Sequence, residues 1–439
     1  MLKKLSLKGV GPAPEMEVEF AERLTVITGD NGLGKSFILD AVWFALTGKP
    51  FGEEILPTEA EENSISLEFK KVSESSTINT IVYKPGLDDE SGDSWGALGK
   101  FVLKNQKFPT LYLGCEGRIG VYEPFRRATK LAFSSVYGLD SLKNGLRKED
   151  FNINNIEVNI GGVRERENLI RINGYIYDLM IWFKDKSEPY HQMQDALKYL
   201  SSEAQEFLSL SPPSRINIQD LREIPHIVTS SGVTPITHAS AGVQRIVSLA
   251  YIIVWLWQEH KLVAKLTKKT PARNLVLLID EIETHLHPKW QRKILAAVLE
   301  VAKAITEDEG FQVQVICTTH SPIVLTGIEP HFDPEKDKLL DLQLTPGVPG
   351  ERGTVELREV EFRKFGTVGK WLGSPMFEVP ERSQPQEEAL AKREALFEME
   401  TPGPEDIAEV EARMTESFAP DDPELAHWDW LARREGWRS

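Results

Sequence analysis

The sequence predicts an α/β fold, and three stretches predict it. Gly29-Asp30-Asn31-Gly32-Leu33-Gly34-Lys35-Ser36 satisfies the pattern G-x-x-x-x-G-K-[ST], with a strand expected before it and a helix after it. Leu275-Val276-Leu277-Leu278-Ile279 is a short apolar run that ends in Asp280-Glu281. Val313–Cys317 is a second such run. Continuous apolar runs, unlike alternating ones, belong to strands buried on both faces, as in a parallel sheet covered by helices.

The chain opens with a strand, a turn at Gly11–Pro14, a second strand around Met16–Phe20 and a third at Leu24–Thr28. Ser36–Thr47 carries Phe37, Ile38, Ala41, Val42, Phe44, Ala45 and Leu46 at helical spacing and is closed by Gly48 and Pro50. Ser64–Phe69, Thr80–Tyr83, Leu111–Leu113 and Gly120–Tyr122 are β-prone, with polar turns such as Asp88–Asp93 between them, and predict an antiparallel β lobe. Ile176–Phe183, Met193–Leu200 and Ala204–Leu210 predict helices, stopped by Pro212-Pro213. Ile246–Trp257 reads as a buried helix and Pro288–Ile305 as a further helix. Beyond residue 380, Pro385, Pro402, Pro404, Pro420 and Pro423 separate short acidic helices that end in Trp428, Trp430 and Trp437. The chain therefore divides into four parts. Residues 1–134 hold the first part of the nucleotide-binding domain and the β lobe, 135–232 a helical insertion, 233–379 the rest of the domain, and 380–439 an acidic helical tail for partner binding or assembly.

A chain of 439 residues with 41% hydrophobic and 27% charged residues has the composition of a globular protein. Cys115 and Cys317 are its only cysteines, which excludes a disulfide framework and points to a reducing compartment. The apolar run Ile246–Trp257 falls short of the ~20 residues that cross a bilayer, and Gly11, Pro12 and Pro14 interrupt any export signal behind Lys3-Lys4. A cytoplasmic protein with no membrane partner is expected. The formal charge of −16 argues against a surface built broadly to coat phosphates, while leaving a local basic patch open. Residues 381–439 carry 16 acids against 7 bases, so −9 of that charge sits in the tail.

The chemistry follows from the residue types. Backbone N–H groups of Asp30, Asn31, Gly32, Leu33 and Gly34 can turn inward around a phosphate, helped by the positive end of the helix that follows. Lys35 supplies a cation for the β- and γ-phosphates of ATP and Ser36 a hydroxyl for Mg2+. A buried strand delivers Asp280 to the carboxyl end of the sheet, where it can hold the same Mg2+, and Glu281 can polarise the attacking water. His285 and His287 lack a third ligand at metal-binding spacing. Tyr112, Tyr122, Phe125, Arg126 and Arg127 concentrate aromatic and basic character, which fits a nucleic-acid or partner contact as well as it fits core packing with a solvated arginine pair.

This motif set resembles the SMC, RecF and OLD group of ABC-like ATPases. HASAGVQRIVSLAYIIVWLWQE (238–259), LIDEIETHLHPKWQR (278–292) and TTHSP (318–322) sharpen the resemblance to PtuA-type ATPases of Septu antiphage systems. KWLGSPM (370–376) and residues 419–436 extend it into the tail. The resemblance implies an ABC/SMC-like P-loop ATPase with catalytic residues Glu281, His320 and Lys35, where His320 is the switch histidine that meets the γ-phosphate. Ala239-Ser240-Ala241-Gly242-Val243 takes the place of the signature Leu-Ser-Gly-Gly-Gln; Ser240 and Gly242 match, and Ala239, Ala241 and Val243 depart. In such ATPases the signature serves the nucleotide of the other subunit, which implies a homo-oligomer built from head-to-tail dimers. Glu283–Pro288 falls where these ATPases place the D-loop. The resemblance also implies a separately encoded, PtuB-like HNH endonuclease partner that the ATPase gates as a sensor or regulatory subunit, with nucleic acid a further candidate partner. Residues 135–232 contain none of the heptads of coiled-coil SMC arms, and 340–439 lack the Asp-x-Asp of the Toprim domain that OLD-type nucleases append. A RecF/SMC-like DNA-repair ATPase and an ATP-regulated OLD-type nuclease are the alternatives.

Overall fold

The computed structural model describes residues 1–47, 51, 63–69, 77–83, 108–115, 117–125, 134–137, 173–201, 207–219, 221–305, 311–346, 353–399 and 401–438. The chain forms two compact units, residues 1–368 and 369–439.

The first unit is organised by an eight-stranded sheet. Its strands are β3 (Leu24–Gly29), β6 (Thr110–Leu113), β7 (Ile119–Tyr122), β8 (Ser134–Tyr137), β12 (Asn274–Ile279), β13 (Gln312–Thr318), β14 (Asp337–Thr345) and β15 (Thr354–Val360). The order is β15-β14-β3-β13-β12-β6-β7-β8. The pairings β14/β3, β3/β13, β13/β12 and β12/β6 are parallel, and the edge pairings are antiparallel. All six residues of β3 are buried, as are five of six in β12, which is what a strand covered on both faces demands. Because these strands run parallel, the turns that leave β3, β12 and β13 emerge at one end of the sheet.

The helix α1 (Lys35–Thr47) lies between two sheets. It touches β3 and β13 on one side and β4 (Asn63–Phe69) on the other. The second sheet has the order β2-β1-β4-β5, with β1 (Leu2–Lys8), β2 (Glu15–Glu19) and β5 (Thr77–Tyr83), all antiparallel. Ile38, Leu39, Val42 and Trp43 are fully buried and share one core with Leu5, Val18, Ile27, Tyr112, Val276 and Ile316. The β lobe expected over residues 51–134 is thus divided. β4 and β5 join the antiparallel sheet, whereas β6 pairs in parallel with β12 of the central sheet. Every residue of β6 is buried, the pattern of a central strand and not of a lobe with one wet face.

The region 135–232 is helical only in part. α2 (Tyr175–Asp185) and α3 (Glu188–Leu200) form as expected. The helix expected at Ala204–Leu210 is replaced at its described end by β9 (Ser209–Ser214), which joins β10 (Ile224–Thr229) and β11 (Gly232–Pro235) in an antiparallel sheet of order β11-β10-β9. Prolines explain the change. Pro212 and Pro213 cannot continue a helix, but they fit an edge strand, at a register shift where these two residues of β9 stand opposite the single Pro225 of β10. Residues 202–206, 88–93, 126 and 127 lie outside the described residues.

After this sheet, α4 (Ala241–Leu266) packs on α3, and α5 (Pro288–Ala304) packs on α3, on β13 and on α6 (Pro322–Ile328). Among the described residues no helix is long and apolar enough to cross a membrane. Cys115 and Cys317 are not joined in a disulfide, and Cys317 is buried.

The second unit holds α7 (Gln384–Glu398), α8 (Pro404–Ser417) and α9 (Pro423–Arg434). Each has a proline in its first two positions, where the missing N–H costs nothing, so three of the five prolines read as separators, Pro385, Pro404 and Pro423, are helix starts. Ala389, Leu396, Val410, Met414, Phe418, Trp428 and Ala432 form its core, with Trp437 packed against it. Glu424 bridges Arg382 and Arg393. Trp430 is 55% exposed.

Candidate functional site

The phosphate loop follows β3 and closes on the first residue of α1. Gly34 has φ 95°, and a Cβ there would stand 2.7 Å from the Pro12 ring, so a side chain is excluded by both backbone and space. Lys35 is 5% exposed. Its Nζ donates to the carbonyls of Gly29 (2.8 Å) and Asp30 (2.6 Å), which hold the ammonium inside its own loop. Burial lowers the Lys35 pKa, opposed by the charges of Glu281, Asp30, Asp280 and Asp341.

The acids after β12 are fixed by the next strand. Asp280 is 3% exposed, and its Oδ1 accepts from Ser36 Oγ (3.0 Å) and Thr318 Oγ1 (2.7 Å). The Thr318 hydroxyl also accepts from the backbone N–H of Glu281 (2.8 Å), so one buried threonine sets both acids. Glu281 has φ 45°, a left-handed conformation that costs a non-glycine residue energy and turns its carboxylate out of the strand direction. That carboxylate accepts from Thr284 Oγ1 (3.1 Å) and lies 3.8 Å from His320 Nε2. The His320 pKa is depressed by burial first and by the Lys35 charge second, which favours the neutral imidazole. Glu283 accepts from the His320 backbone N–H (2.6 Å) and from Thr319 Oγ1 (2.7 Å), and burial raises its pKa.

Asn31, Gly32, Gly34, Lys35, Ser36, Glu281 and His320 line one cavity of about 290 Å3. Asp280 is tied to it through Ser36. Asp30 and Leu33 belong to the loop but are not among the described lining residues, and Leu33 is buried. Ser240 and Gly242 are elsewhere. Ser240 caps α4, its Oγ accepting from the Val243 N–H (3.4 Å), and with His238, Val243, Lys289 and Trp290 it lines a second cavity of about 620 Å3. Gly242 backs onto Trp290: a Cβ there would meet its ring at 2.8 Å. Within one chain, the phosphate loop and the signature therefore open into separate cavities.

Four residues with a bearing on this site escaped the sequence reading. Thr318 and Glu283 are two of them. Asp40, one helical turn beyond Ser36, accepts from Tyr112 Oη (2.8 Å), and burial pushes its pKa up to about 6. Asp341 on β14 stands across from Thr28. Burial raises it to about 6 as well, with Gln343 donating to Oδ2 (2.9 Å) and Oδ1 without a partner among the described residues. Spacing could have flagged Asp40, since i and i+4 share a helix face; Asp341 has no local signal. The aromatic concentration proves to be core: Tyr112 and Tyr122 are 1% exposed, and Phe125 stacks on His260. No group of three metal-binding His, Cys, Asp or Glu side chains occurs among the described residues.

The residues at the cavity fit ATP with Mg2+. A hydroxyl and a carboxylate converge on one point, the hard oxygen set that Mg2+ takes when phosphates and water complete its shell. A buried ammonium and a glycine-rich turn at a helix start suit the phosphates.

Septu protein PtuA of Bacillus thuringiensis is 21% identical to this chain over 337 residues, covering 73% of this chain and 72% of that protein. The retron Ec83 probable ATPase of Escherichia coli is 30% identical over 153 residues, 34% of this chain and 24% of that protein. The SMC head domain from Thermotoga maritima aligns with 82% of this chain and 99% of its own at 16% identity and a TM-score of 0.37. The resemblance to PtuA-type ATPases read from the motifs is thus supported along most of the chain. The mostly parallel central sheet, with the phosphate loop after β3 and paired acids after β12, is an α/β P-loop fold. The family described as "AAA domain, putative AbiEii toxin, Type IV TA system" matches residues 24–326, from the first residue of β3 into α6, and the chain belongs to that family.

Proposed function

We propose that this chain hydrolyses ATP as the sensor or regulatory subunit of an antiphage defence complex, working in head-to-tail dimers and gating a separately encoded HNH endonuclease. The observation that carries the ATPase reading is the hydrogen-bonded set Ser36–Asp280–Thr318–Glu281 beside Lys35 and His320 at one cavity. Lys35 and the loop N–H groups neutralise phosphate charge, and Ser36 with Asp280 holds Mg2+. Bound Mg2+ supplies charge stabilisation to the departing phosphates. Glu281 orients the attacking water, and the neutral His320 imidazole meets the γ-phosphate. PtuA is named a Septu protein, which supports the defence setting.

The separation of the two cavities supports the dimer reading, in which Ser240 and Gly242, lining or backing a cavity apart from the phosphate loop of their own chain, serve that of a second copy. Mixing Lys35→Ala chains with Ser240→Arg chains restores one intact composite site per heterodimer and with it part of the ATPase activity that each variant lacks alone. Heterodimers that form without any recovery would rule out the signature acting across the interface.

The acidic second unit is the element offered to the nuclease. Trp428 and Trp437 are spent on its own core, which leaves Trp430, under the Arg434 guanidinium at 5.2 Å, as its aromatic anchor. Trp430→Ala changes folding stability by no more than about 0.5 kcal/mol, as for surface positions generally. Capture of the HNH protein weakens by about 2 kcal/mol, roughly thirtyfold in Kd. Unchanged capture by a folded Trp430→Ala chain moves the docking surface away from this residue.

A further inference from the structure

We propose that Glu283 is a positioning residue that ties the loop carrying His320 to the loop seated against Gly242, so that the two half-sites of one chain move as a unit. The inference rests on the ATPase-dimer reading above and adds a coupling element to it.

Glu283 lies between β12 and α5, outside the phosphate cavity. Its two carboxylate oxygens are divided between two groups of the neighbouring turn: Oε1 takes the His320 backbone N–H and Oε2 the Thr319 hydroxyl. Its own carbonyl accepts from the Leu286 N–H (3.0 Å). The Leu286 carbonyl accepts from Gln291 Nε2 (3.0 Å), and Gln291 Oε1 accepts from Ser321 Oγ (2.9 Å). Two turns that leave adjacent parallel strands are thereby closed into one hydrogen-bonded ring, residues 283–291 on one side and 319–321 on the other.

Each end of this ring meets one cavity. At one end His320 lines the phosphate cavity, 3.8 Å from Glu281. At the other, the His285 carbonyl lies 3.3 Å and the Trp290 ring 2.8 Å from the point where a Cβ on Gly242 would stand. His287 and Trp290 line the second cavity with Ser240. The start of α4 therefore has no room for a side chain against His285 and Trp290, and packed interiors transmit displacement instead of absorbing it. A shift of His320 toward a phosphate is carried through Glu283 to the start of α4, and a shift of the signature returns by the same route. The carboxylate is suited to the task because it accepts from both groups at once; an alanine would leave the His320 N–H and the Thr319 hydroxyl to find other partners.

The test uses the full chain as wild type, Glu283→Gln, Glu283→Ala and Thr319→Val, with backbone hydrogen exchange in the nucleotide-free protein and steady-state turnover of Mg-ATP. Glu283→Ala raises exchange both at residues 318–321 and at residues 240–243. It lowers kcat by on the order of 10- to 100-fold, the cost of a misplaced catalytic group, with KM changed by less than about threefold. Glu283→Gln keeps an acceptor for the His320 N–H and a donor for Thr319, and recovers most of both signals. Thr319→Val loses one of the two bonds and falls between. A role confined to local structure moves exchange at 318–321 alone, and that result, or wild-type kcat in Glu283→Ala, overturns the proposal. Should Glu283→Ala not fold, wild-type exchange at 240–243 and wild-type kcat in Thr319→Val overturn it equally. A wild-type chain that turns over no ATP ends the ATPase reading, while the exchange measurements still decide the tie.

Discussion

Glu281→Gln binds Mg-ATP and hydrolyses it on the order of 10^2- to 10^4-fold more slowly, the range that a positioned general base contributes. The amide keeps the size and the Thr284 contact of the carboxylate, so the phosphate cavity and the αL turn at φ 45° persist. What is lost is the acceptor for a proton and the negative charge beside the neutral His320. Ser36, Asp280 and Thr318 are untouched, so the residues proposed to hold Mg2+ stay in place. Single-turnover hydrolysis separates the slow step from binding, and the nucleotide-bound dimer accumulates on a sizing column. Wild-type turnover by Glu281→Gln would transfer the role of base to another group.

Lys35→Ala removes ATP binding while leaving the fold intact. Charged hydrogen bonds to phosphate are worth about 1.5–3 kcal/mol each, so losing the contacts of one ammonium to two phosphates costs at least about a hundredfold in affinity. The fold tolerates the change because the Lys35 partners in the protein are two carbonyls of its own loop, not a distant element of the core. Isothermal titration with Mg-ATP reads the loss, and circular dichroism the retained fold. A folded Lys35→Ala chain with wild-type affinity refutes the assignment of the loop.

The two variants address the part of the site that sequence makes plain. Gly29–Ser36 is legible because its chemistry is local: a turn, a cation and a hydroxyl within eight residues, between a strand and a helix. Leu275–Ile279 and Val313–Cys317 are legible because a strand buried on both faces needs no alternation. Thr318, Glu283 and Asp341 are not, because their value lies in contacts across the chain. Thr318 meets Asp280 38 residues away, and Glu283 meets His320 37 residues away. Sheet membership is hidden for the same reason: nothing in Thr110–Leu113 states that its partner is β12, more than 160 residues on. At Ala204–Leu210 the apolar spacing predicts a helix that Pro212 and Pro213 would end, but the two prolines lie within an edge strand, Ser209–Ser214. In the tail, acidity and tryptophan content were visible, but which tryptophan faces solvent depends on how three helices close on one another.

The placement of β3 has a consequence for biosynthesis. Both of its parallel partners come from the far side of the chain, β13 at residues 312–318 and β14 at residues 337–345. A ribosome adding about 5–20 residues per second needs on the order of tens of seconds to go from β3 to β14. During most of that interval a strand destined for complete burial has neither neighbour, and the loop it should support has no fixed base. Nucleotide therefore cannot act as an early folding ligand for the nascent chain, and pairing that spans some three hundred residues is slow to nucleate. The exposed strand is an aggregation hazard of the kind that chaperones shield.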